Sequence, residues 1–388
     1  MTRVYLDHNA TTPMREEVRA HLLATIDALG GNPSSVHRSG RAARAILDEA
    51  RARVAAALRA HEDEIVFTSG GTESANLALL GAARGRGATG TLITTAAEHS
   101  AVLGAAEELE ARGWNVRRAG VDRCCRVDPE EIAALVEVQG ADVVSVMTAN
   151  NEIGTIQPIG AIGRAIGERL TKRGPKSTLF HTDAAQALGR VSVPLEEWGV
   201  DLASFSAHKL GGPLGVGVLY KRRGLPLRGP LFGGGQEGGF RPGSENVPAI
   251  SAAGLAVEMA VGDRPKFHSF TRELSIRLWG DLRQALHDVE LLGPTIDSDE
   301  RLPNTVAVSF GGLDGRMLVA RLDLEGLEVS AGSACASGSL EPSHVLLAMG
   351  YAAELARSGL RLSLGRTTTP QDVHAAVDIL RRSVSALR

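Results

Sequence analysis

Three cysteines in 388 residues, two of them adjacent, are too few and too badly spaced for a disulfide framework. A reducing, cytoplasmic setting is therefore expected. No Cys or His pair has the spacing of a metal site, and no metal is expected. Aromatic residues make up only 4% of the chain, a compositional bias that carries no functional reading. No apolar run approaches the roughly 18 residues of a membrane span. The formal net charge is −3, so no basic surface argues for nucleic-acid binding. No internal repeat or low-complexity linker is visible. The first residues, Met1 to Asp7, run straight into a strand-like pattern, and no signal peptide is expected.

What is present is an ordinary globular composition, 43% hydrophobic and 22% charged, with 45 glycines. The length suggests two to three domains' worth of core. Helical periodicity over 41–60 and 74–83 alternates with strand-like runs at 64–68, 91–95, 142–147, 177–182, 201–205 and 216–220. Such alternation predicts an α/β fold with a mostly parallel sheet covered on both faces. After Asn246 the pattern changes. A long helical region reaches about residue 289, followed by a strand at 305–310, a helix at 315–323, a strand at 360–364 and a helix at 371–387. This reads as a smaller α+β domain, with which the first dozen residues are expected to pack.

Ligands of parallel sheets gather at the carboxyl ends of strands. Thr182-Asp183-Ala184-Ala185-Gln186 and Ser206-Ala207-His208-Lys209 both follow apolar runs. A strand-end Asp and a strand-end Lys are what pyridoxal phosphate needs: a Schiff-base amine and a carboxylate that keeps the pyridine nitrogen protonated. Alone, either residue is weak evidence, because exposed Asp and Lys are common. Thr68-Ser69-Gly70-Gly71-Thr72-Glu73-Ser74 joins a strand to a helix and fits a phosphate cup. It fits a plain capped glycine turn equally well. His99, just past a strand, could stack on a flat ring and move protons, or be a hydrogen-bonded structural residue. Asn150-Asn151-Glu152 could orient a ligand or form a polar turn. The glycine-rich stretch from Gly233 to Ser244 could cross a subunit boundary or be an ordinary loop. Cys335 stands among Ser, Gly and Ala, a setting that suits a nucleophile better than a core thiol. Cys124 and Cys125 have no such setting and read as incidental. Arg361 lies on a short strand, opposite in phase to Leu362 and Leu364, and could clamp a carboxylate or face solvent.

Taken in order, these motifs resemble the cysteine desulfurases, the NifS/IscS-like branch of the class V aminotransferase family. The likeness also takes in Tyr5-Leu6-Asp7-His8-Asn9-Ala10-Thr11-Thr12-Pro13 and Gly31-Asn32-Pro33-Ser34-Ser35-Val36-His37, and so spans nearly the whole chain. The resemblance implies the fold type I architecture of pyridoxal-phosphate enzymes, with a seven-stranded sheet. A large domain would cover 15–262, and a small one 1–14 with 263–388, carrying the Cys335 loop. Lys209 would be the Schiff-base lysine and Asp183 the partner of the pyridine nitrogen. Gln186 would bond the ring hydroxyl, and His99 would stack on the ring. Gly71, Thr72, Ser206 and His208 would hold the phosphate, with Ser244 reaching it from the partner subunit of a homodimer. Asn151 and Arg361, and more weakly Asn32, would bind the substrate carboxylate.

The implied reaction takes L-cysteine to L-alanine, with the sulfur left as a persulfide on Cys335. An acceptor in iron–sulfur assembly or another sulfur pathway would then receive it by thiol exchange. The Ser-Ala-Cys context matches the branch with the longer catalytic loop. Three departures from the family pattern stand out: Ala207 where Gly is common, Gly238 where many members have Arg, and Ser244 in place of Thr. None removes a catalytic group. A selenocysteine lyase or another C–S lyase on the same fold is the alternative.

Overall fold

The computed structural model describes residues 3–171, 178–332 and 341–388. Cys335 lies outside them. The chain begins with β1 (Val4–Tyr5), α1 (Glu16–Ala28), α2 (Arg38–Leu58), β2 (Ile65–Thr68), α3 (Gly71–Arg86), β3 (Thr91–Thr95), α4 (Ser100–Ala111), β4 (Asn115–Ala119), α5 (Pro129–Gln139), β5 (Val143–Ser145) and α6 (Ile159–Thr171). It continues through β6 (Leu179–Asp183), β7 (Leu202–Ser206), β8 (Gly217–Lys221), α7 (Val247–Ala285), β9 (Val289–Leu291), β10 (Thr305–Phe310) and α8 (Gly315–Leu324). It closes with β11 (Leu327–Glu328), β12 (Ser330–Ala331), α9 (His344–Ala348), α10 (Ala353–Arg357), β13 (Gly359–Ser363) and α11 (Pro370–Leu387).

The first sheet has seven strands in the order β2-β8-β7-β6-β5-β3-β4. β8 alone is antiparallel to its neighbours, so β2, β3, β5, β6 and β7 end at one edge. Every residue of β2, β3, β5, β6 and β7 is buried. Strands covered on both faces read as continuous β-branched or apolar runs, which is why they are visible in the sequence. On one face, α2 presents Leu47, Ala50, Val54 and Leu58 at helical spacing to a core shared with Phe67, Ile93 and Phe205. On the other, α3 and α4 bury Leu77, Leu79, Val102 and Leu109 against Val66, Leu92 and Leu219. Local signals set the helix ends. Asp128 caps α5 ahead of Pro129, and Gly140 ends it at φ +67.

The second sheet, β12-β13-β10-β9, is antiparallel, and β1 pairs in parallel with β11 beside it. α8, α11 and the later part of α7 cover it, with Val306, Val308, Phe310 and Leu362 in its core. α7 serves both cores. Its buried residues run from Val247 to Ala260 and resume at Thr271. Gly254 lets it close on α2, because a Cβ there would lie 3.0 Å from the Ala50 carbonyl oxygen. Among the described residues no helix is long and apolar enough to cross a membrane.

Candidate active site

Five strand ends open into one cleft of about 410 Å³. Gly71 and Thr72 come from the end of β2, His99 from β3, Asn151 from β5, Asp183 from β6, and Ser206, His208 and Lys209 from β7. Gln186 follows β6, and Arg361 enters from β13 of the second sheet. Ten of the site residues expected from the sequence therefore share this wall. Ser244 and Asn32 do not. Ser244 is exposed and away from its own chain's cleft. Asn32 is exposed, and its Oδ1 is spent on its own turn, accepting the Ser34 amide at 2.8 Å.

The β2–α3 turn is shaped for an anion. Gly70, the N-cap of α3, is in extended backbone, and no side chain caps the helix. Its first amides and its dipole therefore point outward unsatisfied. Gly217 makes the turn's position possible, since a Cβ on it would fall 2.4–2.6 Å from the Gly70 backbone. A Cβ on Gly71 would reach 3.5 Å from that of Ser206, filling the gap between the turn and the Ser206 hydroxyl. Glu73 holds the turn from behind. It accepts the Ser69 amide at 2.7 Å and pairs with Arg241 of the glycine-rich segment at 3.1 Å. That segment is anchored rather than loose. Buried Glu237, at φ +49, pairs with Arg51 at 2.5 Å and accepts the Phe67 amide at 2.7 Å.

On the floor, Asp183 accepts the Ala185 amide at 2.9 Å. Burial pushes its carboxyl pKa up, while His99 and Lys209 nearby act the other way. His99 caps α4, its Nδ1 accepting the Ala101 amide at 3.1 Å. In the neutral ring that places the proton on Nε2. The structural reading and the functional one are thus compatible for His99. Burial, then Lys209 and Arg190, hold His208 down to about 4, so its ring is neutral. Its Nδ1 lies 3.1 Å from the Thr11 hydroxyl.

Lys209 Nζ donates to the carbonyls of Asn9 at 2.5 Å and Ala10 at 2.6 Å. Gln186 donates to the Asn9 carbonyl at 2.9 Å and accepts from buried Arg190. Arg190 also donates to Asn9 Oδ1 at 2.8 Å. Asn9, Ala10 and Arg190 were not singled out as site residues by sequence reasoning. The signal available for the first two was the Tyr5 to Pro13 motif; Arg190 offers none that a single sequence displays. Arg361 is 2% exposed, a buried guanidinium rather than a surface one. Beneath the cleft lie Glu98 and Glu152, both fully buried. Burial raises Glu98 to about 8 and pushes Glu152 up as well.

The donor set suits pyridoxal phosphate. An uncapped helix start with a neighbouring hydroxyl fits the phosphate, a buried carboxyl pushed up by burial suits a cationic ring nitrogen, and a lysine stands just past the next strand. Among the described residues no group of three or more His, Cys, Asp or Glu could hold a metal ion. Cys124 and Cys125 are free thiols, and Cys125 is buried at φ +64.

Comparison with known proteins agrees with this arrangement. The Aminotransferase class-V family model matches residues 4–376. A cysteine desulfurase IscS of Dictyoglomus turgidum is 42% identical over 386 residues, which is 99% of this chain and 95% of that protein. A solved NifS-like protein superposes with a TM-score of 0.91 at 36% identity, covering 100% of both chains. A structure described as SspA in complex with cysteine gives 0.79 at 30% identity, over 93% of this chain and 98% of that one. From the strand-end Asp and Lys to the full-length likeness, these findings place the chain in the class V aminotransferase family, on its NifS/IscS-like cysteine desulfurase branch.

Proposed function

We propose that the protein is a pyridoxal-phosphate-dependent cysteine desulfurase, converting L-cysteine to L-alanine with the sulfur retained on Cys335. The observation that carries this reading is the convergence of Asp183, Lys209 and the uncapped start of α3 in one cleft, at the ends of parallel strands of one sheet. When bound, the cofactor supplies an electron sink conjugated to the substrate Cα. Lys209 Nζ would anchor the cofactor and would serve as the base for the substrate Cα proton. Asp183 holds a proton on the ring nitrogen, and the charge there lowers the cost of keeping its carboxylate ionised in a buried place. The first amides of α3, Thr72, Ser206 and neutral His208 hold the phosphate. The partner subunit's Ser244 completes this cup in a homodimer. Gln186 keeps one Nε2 hydrogen for the ring hydroxyl, and His99 presents Nε2–H at the ring. Asn151 and Arg361 take the substrate carboxylate.

Cys335 forms an S–S bond to the substrate sulfur as the substrate Cβ–S bond breaks, and the carbon is reprotonated to alanine. The resulting persulfide passes by thiol exchange to an acceptor protein in the cytoplasm. The test is turnover of L-cysteine by the cofactor-loaded protein in the presence of a thiol reductant. Equal alanine and sulfide are expected, with both lost in Lys209→Ala along with the cofactor's visible absorbance. Pyruvate in place of alanine would contradict the reading, because it marks elimination without sulfur retention.

A further inference from the structure

Arg361 is among the largest side chains buried in the molecule, and its donors are divided between two protein partners. Nη2 donates to Asp7 Oδ1 at 2.7 Å, and Nη1 donates to the Asn151 carbonyl at 3.0 Å. Nε is buried with no partner among the described residues. The second Asp7 oxygen accepts the Ser330 hydroxyl at 2.8 Å. Ser330 is the register partner of Arg361 across β12 and β13. The Asp7 backbone is pinned as well. It bridges to Ser363 on β13, and its carbonyl accepts the Tyr5 hydroxyl at 3.1 Å. Asp7 thus follows β1 to the one place where its carboxylate can hold both the guanidinium and the adjoining strand.

We propose that Asp7 is the positioning residue of the substrate-carboxylate clamp. A guanidinium this deeply buried needs its donors satisfied, and a long side chain needs two fixed contacts to keep one rotamer. Asp7 and the Asn151 carbonyl meet both needs, and the donors that face the cleft receive the amino-acid carboxylate. The inference rests on the reading of Arg361 as that clamp. It adds that the acidic residue of the N-terminal motif acts through Arg361 and does not itself touch substrate.

The test compares L-alanine with ethylamine, which lacks the carboxylate, titrated into the cofactor-loaded protein and followed by cofactor absorbance. Asp7→Ala is expected to weaken alanine binding by at least about tenfold and to leave ethylamine binding near wild type, with KM for cysteine rising more than kcat falls. Asp7→Asn can still accept from Nη2 and donate to Ser330 Oγ, and should recover most of the alanine affinity. Ser330→Ala frees one side of the Asp7 carboxylate and should give a smaller loss of the same kind, a second route should Asp7→Ala fail to fold. Arg361→Lys separates the two levels. If it leaves alanine affinity unchanged, the clamp itself is misassigned. If it weakens alanine while the Asp7 and Ser330 variants bind as wild type, or if those variants weaken alanine and ethylamine equally, the positioning role of Asp7 is overturned.

Discussion

Glu98 Oε1 accepts the Met147 amide at 2.9 Å and the Thr95 hydroxyl at 3.0 Å, while Oε2 is buried with no partner among the described residues. The burial that lifts its pKa to about 8 makes it a neutral acid in the folded protein near neutrality. The unfolded chain loses that proton in the ordinary carboxylate range. Between that range and about 8 the folded state holds the extra proton, so stability falls as pH rises through the window and levels off above it. Glu98→Gln cannot ionise and keeps the Oε1 contacts. Its thermal midpoint should differ little from wild type at about pH 5 and exceed it by several degrees at about pH 8. Equal pH slopes for the two proteins would show that Glu98 is ionised in the fold. Single residues also mark how far the sequence could be read. Asp183 and Lys209 stand out in the sequence because Asp183 ends a buried strand and Lys209 follows one by three residues, where a charge is unusual. Asn9 is not legible. It joins Gln186, Arg190 and Lys209 to Thr305 and Asn304 through bonds between positions remote in sequence.

Among the elements, the β2–α3 turn and β8 depend on each other. β8 passes so close to the turn that only a glycine at 217 fits, since a Cβ there would fall 2.4–2.6 Å from Gly70. Gly217→Ala should displace the start of α3 and cost about 1–3 kcal/mol of stability. Displaced amides hold a phosphate poorly, so cofactor affinity should fall by at least about tenfold while a remote surface variant keeps it. A normal cofactor titration on Gly217→Ala would mean that the turn does not bind the phosphate. The buried strands β2, β3, β6 and β7 stood out in the sequence as continuous runs. β4 did not, because it lies at the sheet edge and carries exposed Arg117 and Arg118. Charged edge strands guard against pairing with other chains, and they lose the apolar signature in doing so. β11 and β12 have two residues each, too short for any periodicity to show.

For the whole molecule, the segment from Asp7 to Ala10 closes the site. It binds Lys209 and Gln186 beside the first sheet and Arg361 and Ser363 of the second, so both sheets must be in place before the cleft has its walls. The fold itself was legible from alternation and motif order, but the seam between the sheets was not, because its side-chain and carbonyl contacts join positions remote in sequence. Ser244, exposed and outside the lining of its own cleft, gives the proposed homodimer a direct test. Ser244→Ala and Lys209→Ala homodimers should each be impaired. Heterodimers formed from them would pair an intact Lys209 with the partner subunit's Ser244, restoring normal cofactor affinity in one of the two sites. Failure to recover would place Ser244 outside the shared phosphate cup.

The central claim is that sulfur leaves cysteine onto Cys335, and a single-turnover experiment without reductant tests it most directly. Loaded wild-type protein given no more than one L-cysteine per site should give an equal amount of alanine and a protein mass increased by one sulfur atom. Cys335→Ala should give neither, while keeping the cofactor absorbance. Full alanine formation by Cys335→Ala, or alanine from wild type with no sulfur left on the protein, would contradict the account.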